Sequence, residues 1–429
     1  MRYSPPDKKL FTQNRKNFSK KLKNRAIALF NSNDIMPTSA DGTMPFIQQT
    51  DLFYLSGIDQ EESILIIFPD AIEKQNQEIL FLKETSEEIA IWEGHKYTKD
   101  EAREISGIQS IYWLSQFEDI FNTLVFHADV IYLNSNEHLR AKNIVETRDA
   151  RFAKWCKEKY PLHKYERSQP IMHEIRSIKS TYEIQLIKEA IDITGKGFRR
   201  ILKFIKPDVM EYEIEAELIH EFISNRSRRF AFQPIIASGF NACVLHYIEN
   251  RDRCKDGDVV LMDIGAEYGN YNADLTRCVP VNGRFNDRQK AVYNAVLRVQ
   301  REAMAMLRPG NAIPEYHKEV GKIMESELLG LGLLSKTDIK HQDPSRPVYK
   351  KYFMHGTSHH LGLDVHDYGY PQMKMQKGMV FTVEPGIYIR EENLGIRLEN
   401  DIIIQENGIV DLMKNIPIEA EEIETIMNS

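Results

Sequence analysis

Apolar positions along this chain follow two rhythms, and the change falls near residue 175. In the first part short apolar runs stand out: Ser63-Ile64-Leu65-Ile66-Ile67-Phe68, Glu78-Ile79-Leu80-Phe81-Leu82 and Val130-Ile131-Tyr132-Leu133. Runs of this length, rich in Ile, Leu and Val, read as strands. Stretches between them, Ser19 to Phe30 and Arg148 to Lys159, read as helices. The alternation predicts a layered α/β domain over residues 1–175. It contains no glycine-rich phosphate loop.

From residue 176 onward the helical period takes over. Ser180 with Glu183 forms a capping-box signal ahead of Ile184, Ile187, Ala190, Ile191 and Thr194. Asp208 with Glu211 repeats it before Ile214 and Leu218. Asn286 with Gln289 opens a helix through Val292, Val296 and Met304 that Pro309-Gly310 stops. Ala312 to Leu331 is a fourth helix, and Ser335 to Lys351, polar with Pro344 and Pro347, reads as a loop. Helices alternating with hairpins give an α+β plan for residues 176–429.

The hairpins carry acids where strands rarely do. VVLMDIGAEY and YNADLTRCVPV are strand-like on either side of Gly269-Asn270, a turn signal. Pairing them brings Asp263 and Asp274 to one face, roughly opposite each other. Two like charges there are destabilising without a cation between them; the plainer reading is one buried aspartate and one at the surface. A second hairpin repeats the arrangement. Glu384 ends the run Met379 to Val383, Glu399 follows Ile396-Arg397-Leu398, and Glu391-Glu392-Asn393 make the turn.

The histidines are unevenly spread. Of 13, four (His355, His359, His360, His366) fall within a dozen residues, beside Gly356 and Gly362, where the backbone can approach a ligand closely. A cluster beside glycine and ahead of acidic strands points to a site. His246, in Val244-Leu245-His246-Tyr247, is a fifth candidate. Carboxylates with imidazole make an inventory for two adjacent divalent metals, whose common use is hydrolysis.

Composition narrows the classes. A net charge of -7 gives no global electrostatic support for a nucleic-acid partner. Arg226, Arg228 and Arg229 cluster, as solvated loops often do. The N-terminal stretch MRYSPPDKKLFTQNRK lacks an apolar signal-peptide core, and no run approaches the ~20 apolar residues of a membrane span. Cys156, Cys243, Cys254 and Cys278 show no paired spacing, which suits reduced packing residues in a cytoplasmic protein.

The segments DIGAEYGNYNADLTR, FMHGTSHHLGLDVHD, TVEPG and GIRLEND, in this order, resemble the metal-dependent peptidases of pita-bread fold: methionine aminopeptidase, prolidase and aminopeptidase P. The opening Arg176-Ser177-Ile178-Lys179-Ser180 resembles the start of that catalytic domain, and Asp51 to Gly57 the N-terminal domain that prolidase and aminopeptidase P carry. Within the family HGTSHHLGLDVHD is most similar to aminopeptidase P, with Ser358 where prolidases more often have Gly.

The resemblance implies metal ligands at Asp263, Asp274, His359, Glu384 and Glu399, with Asp274 and Glu399 bridging two ions, Asp263 on one, and His359 and Glu384 on the other. It implies supporting roles for His246, His355, His366 and Arg397. Phe232 stands where relatives often carry tyrosine, and His360, given no role, where they often carry Trp. The oxygen-rich donor set suits manganese(II), with Co, Zn or Fe as substitutes. The implied reaction is hydrolysis of the bond between an N-terminal residue and a following proline, by a hydroxide shared between the metals. Glu384 then shuttles the proton, while His246 or His366 steadies the carbonyl oxygen. His355, Tyr388 and Arg397 form a slot for proline, with Phe232 as a further substrate contact. Alternatives are a dipeptidase of prolidase type, a creatinase-like enzyme, or a metal-free binding module, which would be expected to lack ligands. A homodimer or homotetramer is implied, with Trp92, Asp41 and Tyr54 candidates to cap a neighbouring subunit's pocket; by themselves they read as packing and surface.

Overall fold

The computed structural model describes residues 3–429, so the first two residues of the polar N-terminal stretch lie outside it. The chain divides into two compact units, Pro5–Arg176 and residues 3–4 with Ser177–Ser429.

The first unit is built on six strands: β1 (Ala26–Asn31), β2 (Ile64–Ile67), β3 (Glu78–Leu82), β4 (Ser110–Trp113), β5 (Val130–Leu133) and β6 (Lys164–Arg167). They lie side by side as β4-β3-β2-β1-β5-β6. β1 runs antiparallel to β2 and parallel to β5. Every residue of β1 and β2 is buried, which explains runs without polar alternation. Phe117 and Phe121 of the helix Phe117–Val125 pack on Ile27, Leu29, Ile66 and Phe81. The helix expected over Ser19 to Phe30 is not there. Lys8–Ser19 is helical, the basic stretch after it turns, with Arg25 at φ 53°, and the five apolar residues that follow, with Asn31, are β1. A short buried run looks alike in helix and strand. Arg148–Lys159 is helical, capped by the Thr147 side chain. Tyr54 is a packing residue, buried with its hydroxyl donating to the Ile175 carbonyl, whereas Trp92 is 84% exposed.

The second unit opens with the helix Thr181–Phe204, held by the reciprocal Ser180–Glu183 capping box. The next helix, Glu211–Ser224, is capped at Met210 by Glu213. The expected Asp208–Glu211 cap fails because Asp208 is in a left-handed turn (φ 76°). Glu211 is committed elsewhere, accepting bonds from Ser238, Tyr247 and Asp252. Asn286 and Gln289 cap Asp287–Met306, and Ile313–Gly330 follows. Ser335 to Lys351 is not wholly loop: Ser335 caps a short helix, Lys336–Lys340, and Val348–Lys351 forms a 3-10 turn.

Ten further strands complete the unit. β7 (Ile235–Ser238), β8 (Val259–Ile264) and β11 (Leu275–Pro280) form one antiparallel sheet, with β9 (Glu267–Tyr268) and β10 (Tyr271–Asn272) at the hairpin tip. Gly269 and Asn270, at φ 59° and 67°, make the tip. β12 (Val380–Val383) pairs with β15 (Asn400–Gln405), β15 with β16 (Gly408–Asp411), and β13 (Gly386–Ile389) with β14 (Leu394–Arg397). Arg226 is exposed in its loop as expected, but Arg228 and Arg229 of the same loop are half-buried, their Nε atoms 3.5 and 3.7 Å from a carboxylate oxygen of fully buried Glu267. All four cysteines are buried and free. Among the described residues no helix is long and apolar enough to cross a membrane.

Candidate metal centre

Two hairpins deliver the four carboxylates. Asp263 lies in β8 directly across from Thr276 rather than Asp274. Asp274 stands two residues before Thr276, so strand alternation keeps all three side chains on one face. The turnback is tight: a Cβ on Gly265 would lie 1.9 Å from the Ala273 carbonyl oxygen. In the second hairpin Val383 faces Asn400 and Gly386 faces Arg397. That single register sets Glu384 opposite Glu399, at the break between two ladders.

The imidazole comes from a loop bonded along β12. Thr382 N–H donates to the His359 carbonyl (3.0 Å) and Leu361 N–H to that of Val380 (3.2 Å). His359 Nδ1 lies 2.9 Å from the His360 carbonyl oxygen. A proton on Nδ1 makes that bond and leaves the Nε2 lone pair for a ligand. Nε2 is 3.5 Å from Asp274 Oδ2 and 3.7 Å from Glu384 Oε1. Donor atoms of Asp274, His359 and Glu399 all lie within 4.8 Å of one another.

These carboxylates are in electrostatic difficulty. Burial first, then the charge of Asp263, pushes Asp274 well above the usual carboxylate range. Burial and the charges of Asp274 and Glu384 do the same to Glu399, despite a 2.6 Å bond from the Thr276 hydroxyl. Burial raises Glu384 to about 7, against the pull of His359 and Arg397. Arg397, 4% exposed, is the guanidinium among them. It donates to Asp263 Oδ2 (2.6 Å), the Tyr388 hydroxyl (2.9 Å) and Thr276 Oγ1 (3.1 Å). Asp263 Oδ1 is buried with no hydrogen-bond partner. One guanidinium does not balance four clustered carboxylates, so the donor set, with Asp263 Oδ1 unpartnered and His359 Nε2 facing Asp274 and Glu384, fits divalent cations.

The surrounding residues differ in how they meet this centre. His355 Nδ1 is 2.8 Å from the Gly356 carbonyl oxygen, and its Nε2 accepts from the Tyr388 hydroxyl at 2.8 Å. Burial and the Arg397 charge hold His355 down at about 3, so the ring is neutral. His366 is exposed and meets His359 edge to face, ring centroids 4.4 Å apart. His246 is exposed, near enough to His355 for its charge to bear on that ring. Phe232 packs beside Gly265. His360 turns away from the carboxylates and packs on Phe381, 4.2 Å between centroids.

Sequence reasoning missed four supports. Thr276 binds Glu399, and Asp401 accepts the Asp274 N–H at 3.0 Å. Glu211 ties down Tyr247, next to His246. His317 accepts from the loop before His359. Asp401 had a visible signal, a third acid in an apolar strand; the others act through contacts distant in sequence.

Comparisons with known proteins bear on this geometry. Residues 185–406 match metallopeptidase family M24, and residues 11–132 match the N-terminal domain of aminopeptidase P. The chain is 36% identical to the Xaa-Pro aminopeptidase of Escherichia coli over 91% of its length and 90% of the relative's. Two solved structures of E. coli aminopeptidase P, a zinc-substituted form in complex with product and one with the inhibitor Pro-Leu, each superpose with a TM-score of 0.86. Each shares 32% identity and covers 99% of both chains. The architecture is therefore an aminopeptidase P N-terminal domain followed by a pita-bread domain.

Proposed function

The chain belongs to metallopeptidase family M24, and from that premise we propose an Xaa-Pro aminopeptidase: it removes the first residue from peptides with proline in second place. The convergence of Asp274, His359 and Glu399, flanked by Asp263 and Glu384, carries this reading.

Asp263, Asp274, His359, Glu384 and Glu399 would hold two divalent ions, and the hard donors favour manganese(II). Bound there, the metals supply an activated water and a Lewis acid. Glu384 takes a proton from the attacking water at a carboxylate oxygen and delivers it to the leaving nitrogen. That delivery matters here because an Xaa-Pro bond is a tertiary amide, and its nitrogen brings no proton of its own. His246 and His366, on exposed positions, donate to the carbonyl oxygen as negative charge develops. Neutral His355 offers its ring to the proline, while Tyr388, too deeply buried to meet substrate itself, holds that ring through its hydroxyl at 2.8 Å. Arg397 holds Asp263 and Tyr388 in place, and Phe232 offers an apolar contact to substrate. A homodimer or homotetramer and a cytoplasmic site, in keeping with four free cysteines, complete the reading.

Glu384→Gln tests the proton role. It keeps a donor oxygen while removing the base, and turnover should fall by about 10²–10⁴-fold with metal still bound. Full turnover by the metal-loaded variant would refute the assignment.

A further inference from the structure

We infer that His317 is a positioning residue for the metal centre: its Nε2 fixes the turn that presents His359, and so sets metal affinity. This rests on the reading of His359 as a ligand.

His317 lies at the fifth position of the helix Ile313–Gly330, half-buried. Two successive backbone N–H groups, those of Thr357 and Ser358, converge on its Nε2 at 3.3 Å each. Both residues are buried, so these donors need a partner. The ring is also wedged against the backbone: a Cβ on Gly356 would lie 3.1 Å from His317 Cε1. One residue earlier, the Tyr316 hydroxyl is 3.0 Å from Ser358 Oγ. One helix turn thus grips the loop through two side chains. The loop's other edge is bonded to β12 and its end, where Glu384 N–H donates to the Thr357 carbonyl at 2.8 Å and His359 N–H to Thr382 Oγ1 at 3.3 Å. His359 therefore leaves a backbone fixed on both sides. Without His317, the Thr357 and Ser358 N–H groups lose the acceptor on the helix side.

The grip needs an acceptor at Nε2, which a neutral imidazole with its proton on Nδ1 provides. Glutamine can present an oxygen at similar reach, leucine cannot, and asparagine is too short. The experiment is titration of metal-stripped full-length protein with manganese(II) chloride, free Mn²⁺ being read by electron paramagnetic resonance, alongside kcat and KM. His317→Leu should weaken Mn²⁺ binding by about 10-fold or more. His317→Asn should do the same, should the leucine variant fail to fold, and His317→Gln should recover most of the loss. Equal affinity in wild type, His317→Leu and His317→Asn would overturn the inference. So would a glutamine variant as weak as leucine, which would show ring packing rather than the acceptor at work. A wild type that holds no Mn²⁺ would sink the metal reading itself and the inference with it.

Discussion

Three carboxylates at one centre, Asp274, Glu384 and Glu399, share an abnormality whose sign can be tested. Burial leads in each case, and all three bind protons more tightly than in an unfolded chain. A carboxylate raised in the folded state contributes stability below its unfolded value and loses it as pH rises through the folded one. Metal-free protein should therefore lose stability as pH rises towards and past about 7, where Glu384 ionises. A cation removes that penalty, so the gain in melting temperature on adding Mn²⁺ should grow from about pH 5.5 to about pH 8. Asp149, in the other unit and also raised to about 7 by burial, tilts both states alike and cancels in the difference. A metal-induced gain that shrinks with rising pH would contradict this. The acids were legible in the sequence because a charge inside an apolar strand is conspicuous. Thr276 and His317 were not, because each acts on a partner in another element and carries no local anomaly.

At the scale of elements, the hairpin between β8 and β11 depends on the absence of one side chain. Gly265→Ala would force the strands apart at the Ala273 carbonyl. It should cost about 1–3 kcal/mol in stability and weaken Mn²⁺ binding together, measured by denaturant unfolding and metal titration. Ser180→Ala, by contrast, removes a cap that touches none of the five ligand candidates and should cost about 1 kcal/mol with metal affinity unchanged. Elements with a strong local signature were readable from the sequence: the Ser180 and Asn286 capping boxes, the Gly269-Asn270 turn, the apolar runs of β2, β3 and β5. Those decided by tertiary context were misread. Ala26–Asn31 became a strand because the sheet had a central place for it, and Glu211 was drawn from its expected cap into bonds with Ser238 and Asp252.

For the whole molecule, the proposed ions would be folding ligands as well as catalysts. Mn²⁺ at 100 times its dissociation constant should stabilise the protein by about 2.7 kcal/mol for each ion bound, and a chelator should reverse this. An unchanged melting curve would mean that the acids hold no ion. The alternative readings separate at the same level, since a metal-free binding module would gain nothing from Mn²⁺, whereas a dipeptidase would gain as much and differ only in substrate. The most direct measurement is therefore hydrolysis by metal-stripped protein with Mn²⁺ restored, offered an Xaa-Pro tripeptide, an Xaa-Pro dipeptide and a Met-Ala peptide. The proposed activity predicts release of the first residue from the tripeptide in preference to the other two. Cleavage of the dipeptide alone, of Met-Ala alone, or of none despite bound Mn²⁺ would contradict it.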